Sequence, residues 1–275
     1  MSASPYYFYN TKFFSNEKMP LIPDHDLLIY EVLRVEQGKP LFIYDHLKRL
    51  FSGVEKVGHI LSAKKNQLKQ KIEQLSVTSE TGSGNIKMEF YFVENKMAEI
   101  ESRGFFIPTR YPSKELYAKG ITCMTLEKER MNPSVKASNS LLRNLTNDLI
   151  KKHKIYEVLL YSSHHITEGS RSNLFFIKDE TIFTAPDELV LSGVMRKKIL
   201  EIIHQQKLPL KMEALAVEEL SKISSAFITG TSPRVLPIRQ IDEHIIQPNH
   251  PMIGLIQDEL QKMITQYISQ YTMEF

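Results

Sequence analysis

Two charged residues have the types and local settings that covalent chemistry on a small ligand would use. Lys136 lies between an Asn-Pro-Ser turn and a helix predicted to start near Ser138, and Glu168 lies in a predicted turn of small polar residues. Burial and the positive end of a helix both disfavour an ammonium group, so a lysine in this setting favours its neutral, nucleophilic amine. A carboxylate such as Glu168 can hold a cationic ring. Taken alone, each residue is more simply explained as an ordinary surface side chain.

A third stretch, at a predicted helix start, could bind an anion such as a phosphate, and a fourth is rich in hydroxyl groups. Ser192-Gly193 opens a predicted amphipathic helix, and the first amide groups of a helix attract negative charge. Thr231-Ser232 follows a predicted strand and offers two hydroxyl groups. The alternatives are a simple helix cap and a hydroxyl-rich turn. The carboxylate of Glu168 together with this helix start would suit a ligand with a cationic ring at one end and a phosphate at the other.

A predicted β-hairpin could bring these groups together. Its strands are the apolar runs 174–177 and 181–184, which Asp179-Glu180 separates. A carboxylate before one strand and a helix start after the next could converge at one end of a sheet.

The remaining elements follow from hydrophobic periodicity. Further strands are predicted at Leu27–Val35, Pro40–Tyr44, Ile86–Val93, Gly104–Pro108, Ile121–Leu126, Tyr156–Tyr161 and Ser225–Thr229. Helices are predicted after a capping Asp45, at Lys65–Leu75, from Ser138, from Gly193, at Val217–Ser221 and at Met252–Ile268. In the helix from Ser138, the residues predicted to face inward are Leu141, Leu142, Leu145 and Leu149. Tyr111-Pro112-Ser113 changes the patterning, so we predict a smaller N-terminal domain over 1–110, a linker over 111–118 and a larger domain over 119–275.

Composition narrows the class of protein. The chain has 275 residues, 42% of them hydrophobic and 24% charged, with a formal net charge of +3. The basic residues are spread out, and we interpret the cluster of Lys64, Lys65, Lys69 and Lys71 as a solvated helix face, not as a nucleic-acid site. The single cysteine, Cys123, and the lack of a zinc motif predict no structural metal, and adjacent His164-His165 do not change this. No signal peptide or membrane-spanning run is present, so we expect a cytoplasmic protein.

Several motifs together resemble one known family. They are, in chain order, Arg49 in HLKRL, Lys136 in VKASNSLLRN, Glu168 and Asn173 in EGSRSNLFF, SGVMR at 192–196 and GTSPRVLPI at 230–238. This set, which covers most of the chain from Leu27 to Ile238, resembles the class IV aminotransferases, the fold-type IV pyridoxal-phosphate enzymes. That family includes branched-chain and D-amino-acid aminotransferases and aminodeoxychorismate lyases. The resemblance implies a two-domain α/β fold with pyridoxal 5'-phosphate bound between the domains.

The resemblance also implies a role for each residue. Lys136 resembles the lysine that forms the internal aldimine and then carries a proton between the substrate Cα and the cofactor C4'. Glu168 resembles the carboxylate that keeps the pyridine nitrogen protonated, and Asn173 is interpreted as support for the hairpin. Arg49 resembles a phosphate-binding arginine. The phosphate site would also include the amides of Val194 and Met195 and the residues Thr231 and Ser232.

The substrate is left open by two departures from the family pattern. Tyr30 matches a strand aromatic residue that faces the substrate, although a core aromatic is an equal alternative. The usual glycine-rich turn before this strand and the usual Arg-Gly pair after the strand at 86–93 are both missing. The basic residues that could replace the arginine in binding a substrate carboxylate are Lys87, Lys96, Arg103, Arg110 and Arg234.

We therefore predict an aminotransferase that moves an amino group between an amino acid and a 2-oxo acid. The resemblance also implies a homodimer with the active site near the interface. One alternative is a 4-amino-4-deoxychorismate lyase, in which deprotonation at the same carbon leads to loss of pyruvate. A second is an inactive relative that only binds a ligand or partner.

Overall fold

The structure, a computed structural model, describes residues 4–10, 12–15 and 18–274, which form two units. The first contains the described parts of Met1–Arg110, Val135–Ser138 and Met263–Phe275. The second contains Tyr111–Ser134 and Asn139–Lys262. The first unit thus includes two segments beyond the predicted domain 1–110, because 135–138 pairs with a strand of its sheet and the end of the last helix contributes to its core. The predicted outer limits, residues 1 and 275, lie outside the described residues.

The first unit is a six-stranded sheet with two helices. Its strands are β1 Tyr6–Tyr9, β2 Lys12–Ser15, β3 Leu27–Glu36, β4 Lys39–Pro40, β5 Gly84–Phe92 and β6 Glu101–Ile107. The strand order is β2-β1-β6-β5-β3-β4, and every neighbouring pair is antiparallel. Its helices are α1 Ile43–Lys56 and α2 Lys65–Ser76. Alternate residues of β3 and β5 are buried in one core with the apolar faces of both helices.

The start of α1 corrects two predictions. The strand predicted at Pro40–Tyr44 is wrong after Pro40, because Phe42 adopts a left-handed backbone with φ 52° and α1 begins at Ile43. Asp45 lies in the first turn and is not the cap. Ile43 and Leu47 are both buried, so burial at helical spacing determines where the helix starts.

The lysine-rich face of α2 is not wholly solvated as predicted. Lys69 is only 2% exposed, and its Nζ lies 3.0 Å from Glu73 and 3.1 Å from Glu274. The carboxylates accompany the buried ammonium group, as burial of a charge requires.

The second unit is a ten-stranded mixed sheet with helices. Its strands are β7 Ile121–Glu127, β8 Glu157–Ser162, β9 His165–Gly169, β10 Asn173–Lys178, β11 Thr181–Thr184, β12 Leu210–Met212, β13 Leu215–Ala216, β14 Ser225–Gly230, β15 Arg234–Ile241 and β16 His244–Ile245. Its helices are α3 Lys114–Lys119, α4 Ser140–His153, α5 Val194–Gln205, a 3₁₀ helix Val217–Lys222 and the first part of α6 Pro251–Gln270. The strand order is β12-β11-β10-β14-β15-β7-β8-β9-β13, with β16 on β15. The predicted α/β class is confirmed.

Local predictions in this unit have mixed outcomes. The β10–β11 hairpin is confirmed, with Phe176 opposite Phe183 and Lys178 opposite Thr181. The prediction that the leucines of α4 face inward is wrong in part. Leu142 is buried, but Leu141 is 82% exposed and Leu145 is 43% exposed. Leu142 and Thr146 define the buried face, and a neighbouring helical position points about 100° away from it.

In the described part of the chain, no helix combines the length and apolar composition that crossing a membrane requires.

Candidate active site

Lys136 belongs to the first unit, on a short extended segment beside β3. The Tyr30 amide donates to the Lys136 carbonyl at 3.1 Å, and the Ser138 amide donates to the Leu28 carbonyl at 2.8 Å. Ala137 forms an antiparallel bridge with Ile29. The predicted start of α4 near Ser138 is therefore two residues early, because pairing with β3 keeps this segment extended and α4 begins at Ser140. The pairing fixes the backbone from which the Lys136 side chain extends.

The ring of Tyr30 lies close to two lysine side chains. The Nζ atom of Lys136 is 4.8 Å from the ring centroid, and that of Lys87 is 5.3 Å from it. Lys87 Nζ also contacts Glu89 Oε1 at 2.5 Å. Cations over an aromatic face are attracted to it electrostatically, so Tyr30 helps to bring both ammonium groups to one place.

Arg49 is held on α1 by a buried carboxylate of β3. Its Nε donates to Glu31 Oε1 at 2.7 Å, and its Nη2 donates to Glu31 Oε2 at 2.6 Å. His46 Nδ1 lies 3.0 Å from Glu31 Oε2. Burial alone would raise the pKa of Glu31, but the charge of Arg49 and the hydrogen bonds from both partners outweigh burial and lower it to about 2. Burial lowers the pKa of His46, and Glu31 opposes this only in part.

Glu168 belongs to the second unit and lies in β9, not in a turn as predicted. β9 pairs with β8, with Glu168 opposite Leu160, and this pairing buries the side chain to 2% exposure. Arg130 Nε donates to Oε1 at 2.5 Å, while the Leu191 amide and Asn173 Nδ2 donate to Oε2 at 3.1 and 3.4 Å. Hydrogen bonds to the charged form favour a carboxylate that would otherwise be costly to bury.

Asn173 connects Glu168 to the start of α5. Its Nδ2 also donates to the Leu191 carbonyl at 2.8 Å. A Cβ on Gly193, the residue before α5, would lie 2.1 Å from Asn173 Oδ1, so a larger residue there would displace the Asn173 side chain. The side chains of Val194 and Met195 are buried, and among the described residues no side chain caps α5. The first amides of the helix are therefore available to an anion.

Thr231 and Ser232 lie in the turn between β14 and β15, which is closed by Gly230 opposite Arg234. Asn173, the first residue of β10, pairs with Thr229 near the end of β14. The hydroxyl-bearing turn, Asn173 and the start of α5 therefore lie at one end of this sheet.

The predicted site residues thus form one group in each unit. Tyr30, Arg49 and Lys136 are associated with β3 in the first unit. The group in the second unit contains Glu168, Val194, Met195, Thr231 and Ser232.

Sequence reasoning missed Glu31, His46 and Arg130. Glu31 occupies a position that alternation assigns to the buried face of β3, and a carboxylate there indicates a charged partner. We find no such signal for Arg130, which lies in an irregular segment.

Comparisons with known sequences identify relatives of this chain. The family model described as amino-transferase class IV matches residues 28–241, more than half of the chain. The D-alanine aminotransferase of Staphylococcus epidermidis is 26% identical over 258 residues, which cover 89% of each chain.

Solved structures share the fold. The branched-chain amino acid aminotransferase of Escherichia coli superposes with a TM-score of 0.82 at 18% identity, covering 95% of this chain and 94% of that one. A hypothetical aminotransferase from Mycobacterium tuberculosis, in its PLP-bound form, gives a TM-score of 0.79 at 16% identity, covering 95% of this chain and 99% of that one. The motifs that suggested the family lie within the matched residues, and the chain belongs to the amino-transferase class IV family.

Proposed function

We propose that this chain moves an amino group between an amino acid and a 2-oxo acid, with pyridoxal 5'-phosphate as its cofactor. Membership of the class IV family supports this function, and so does the similarity to D-alanine aminotransferases. The observation that carries the proposal is the buried, hydrogen-bonded carboxylate of Glu168, connected through Asn173 to the start of α5. A carboxylate and an anion site at one end of a sheet fit a group with a basic ring nitrogen and a phosphate.

Each residue has a role that its chemistry suits. When bound, the cofactor supplies a ring that withdraws electrons from the substrate Cα. The amine of Lys136 would hold the cofactor covalently and later carry the proton removed from Cα. Glu168 would keep the ring nitrogen protonated, because a nearby anion favours the charged form. Arg49 would bind the phosphate, together with the amides of Val194 and Met195 and the residues Thr231 and Ser232.

Substitution of Lys136 tests the function directly. We expect Lys136→Ala to lose at least about 100-fold in amino transfer, because the proton carrier is removed. The measurement is the rate of 2-oxo acid formation from a panel of D- and L-amino acids, with thermal denaturation as a check on folding. Lys151→Ala, at an exposed position of α4, is the matched control and should keep wild-type activity. Undiminished turnover in Lys136→Ala would contradict the assignment.

For the substrate we propose that Tyr30 and Lys87 face the amino acid. Of the five basic candidates, Lys87 is the one whose contact with the Tyr30 ring is shared with Lys136. An ammonium group there could pair with the substrate carboxylate while Lys136 acts on Cα.

Kinetics can test this role of Lys87. Lys87→Met should raise KM for the amino donor about tenfold or more, because a charge-assisted hydrogen bond is lost, and should change kcat less. Lys96→Met, at another of the candidate lysines, serves as the control. A raised KM in the Lys96 variant alone would assign the carboxylate to Lys96 instead.

We also propose that the protein acts as a homodimer in the cytoplasm. The exposed Leu141 and Leu145 of α4 support the dimer, since large apolar side chains are commonly covered by a partner. The cytoplasmic location rests on the sequence, which has a single cysteine.

A further inference from the structure

Arg130 contacts the end of β9 at two points. It lies in the irregular segment after β7, and its side chain is 18% exposed. Its Nε donates to Glu168 Oε1 at 2.5 Å, and its Nη2 donates to the Ser170 carbonyl at 3.1 Å. The guanidinium is planar and its donors diverge at fixed angles, so two acceptors two residues apart define its orientation. Arg130 in turn limits the rotation of the Glu168 carboxylate.

The donors around Glu168 differ in charge. The Leu191 amide and Asn173 supply neutral hydrogen bonds to Oε2, whereas Arg130 supplies a full positive charge at Oε1. A carboxylate buried to this extent tends to take up a proton unless a charge opposes it. Arg130 provides such a charge before any ligand is bound.

The titratable Glu157 contacts the residues at the end of β9. Glu157 accepts hydrogen bonds from Ser170 Oγ at 2.7 Å and Ser172 Oγ at 2.9 Å, and its carboxylate packs against Gly169. Gly169 pairs with Leu159 and Glu168 pairs with Leu160, so the Glu157 and Glu168 side chains project from opposite faces of the β8–β9 pair. The two donors to Oε2, the Leu191 amide and Asn173, do not titrate.

We propose that Arg130 is a positioning residue that keeps Glu168 ionised and oriented for the ring nitrogen of the cofactor. Arg130 acts through Glu168 and does not contact the reacting atoms. This inference rests on the proposed function, in which Glu168 binds that nitrogen. Loss of Arg130 leaves the buried Glu168 carboxylate without the positive charge at Oε1, so the carboxylate takes up a proton at a higher pH.

The test is a double-substitution cycle read by cofactor binding. Pyridoxal 5'-phosphate is titrated into the full-length protein, and its dissociation constant and absorbance spectrum are followed from pH 8 downward. We expect Arg130→Gln to weaken cofactor binding about 10- to 100-fold, because a charged hydrogen bond is lost. The loss of affinity relative to wild type should grow as the pH falls. Arg130→Lys should recover most of the affinity. In a Glu168→Gln background, Arg130→Gln should have almost no further effect.

The controls distinguish an effect through Glu168 from a direct contact with the cofactor and from a loss of folding. Arg171→Gln, at an exposed arginine that pairs with Asn147, should bind the cofactor normally. An equal loss in both backgrounds would mean that Arg130 contacts the cofactor or supports the fold, and would overturn the proposal. Wild-type affinity for the cofactor in Arg130→Gln would also overturn the proposal. If Arg130→Gln does not fold, Arg130→Lys is compared in the two backgrounds. Failure of the wild-type protein to take up the cofactor would instead refute the proposed function.

Discussion

At the scale of single residues, the buried carboxylate of Glu31 orients two side chains of α1, His46 and Arg49. It lies on β3 with its side chain fully buried, and both Arg49 and His46 contact it. With two guanidinium nitrogens on Glu31, Arg49 has a defined orientation without any ligand. A preorganised arginine loses less conformational entropy when it binds a phosphate than a free side chain does.

Stability against pH should reveal this pairing. The pKa of Glu31 is lowered to about 2, below its ordinary value of 4.5. The stabilisation is therefore complete above pH 4.5 and is lost as the pH falls toward 2. We expect Glu31→Gln to be less stable than wild type at pH 6, with a difference that shrinks as the pH falls.

The measurement for Glu31 is the free energy of unfolding in urea at several pH values. Glu115→Gln is the control, because its carboxylate pairs with Lys119 on the exposed surface of α3 and such a pair contributes little. A difference between wild type and Glu31→Gln that stays constant from pH 6 to pH 3 would contradict the role of the carboxylate.

How far the candidate site could be predicted depends on the kind of signal each residue leaves. Lys136 and Glu168 lie in local motifs that can be recognised without a structure. Arg130 and Glu31 act through partners distant in the chain, and no local pattern encodes which arginine meets which carboxylate. Glu168 is predicted in a turn because small polar residues follow it, although pairing with β8 keeps the chain in a strand through Gly169.

At the scale of elements, the start of α5 depends on a close approach between Gly193 and Asn173. A Cβ at Gly193 would overlap Asn173 Oδ1 at 2.1 Å, and Asn173 also donates to Glu168 and to the Leu191 carbonyl. Gly193→Ala should therefore displace Asn173 and disturb both the carboxylate and the first turn of the helix.

We expect Gly193→Ala to weaken pyridoxal 5'-phosphate binding and to destabilise the fold by about 1–3 kcal/mol, as overpacking does. Calorimetric titration with the cofactor measures the effect on binding, and thermal unfolding measures the effect on stability. Gly254→Ala is the matched control, because nothing lies within 4 Å of its Cβ position inside α6. That control should be neutral or more stable, since alanine favours a helix. Equal behaviour of the two variants would show that the close approach is unimportant.

Elements with a strong local period were predictable, and those shaped by distant contacts were not. The hairpin β10–β11 and helix α5 follow from apolar runs and spacing. Strand β15 was missed because Pro237 lies inside it, and proline is usually excluded from strands except at edges and bulges. Its pairing with β7 is irregular between Ile238 and Gln240, close to this proline.

At the scale of the whole molecule, the first unit draws on three separate parts of the chain. Tyr267 of α6 donates to the Pro40 carbonyl at 3.2 Å, and Tyr271 donates to Glu73 at 2.6 Å. These contacts join residues about two hundred positions apart. Composition and periodicity could therefore predict two domains and an α/β class, but not that the end of the chain belongs to the first unit.

The proposed homodimer is a property of the complete molecule, and the exposed face of α4 offers a way to test it. Covering a leucine side chain with a partner contributes about 1.5–3 kcal/mol, so a charge at either position should oppose association. We expect Leu141→Glu and Leu145→Glu to shift the protein from dimer toward monomer without unfolding it, because both side chains are already exposed within one chain.

Sedimentation equilibrium over a range of protein concentrations measures the shift, and circular dichroism checks the fold. Lys151→Glu is the control on the same helix, since it introduces a carboxylate at an exposed position without removing an apolar group. Dissociation of the two leucine variants alone would support an interface that includes this face of α4. A monomeric wild-type protein at all concentrations would contradict the dimer, whereas dimeric leucine variants would require the interface to lie on another surface.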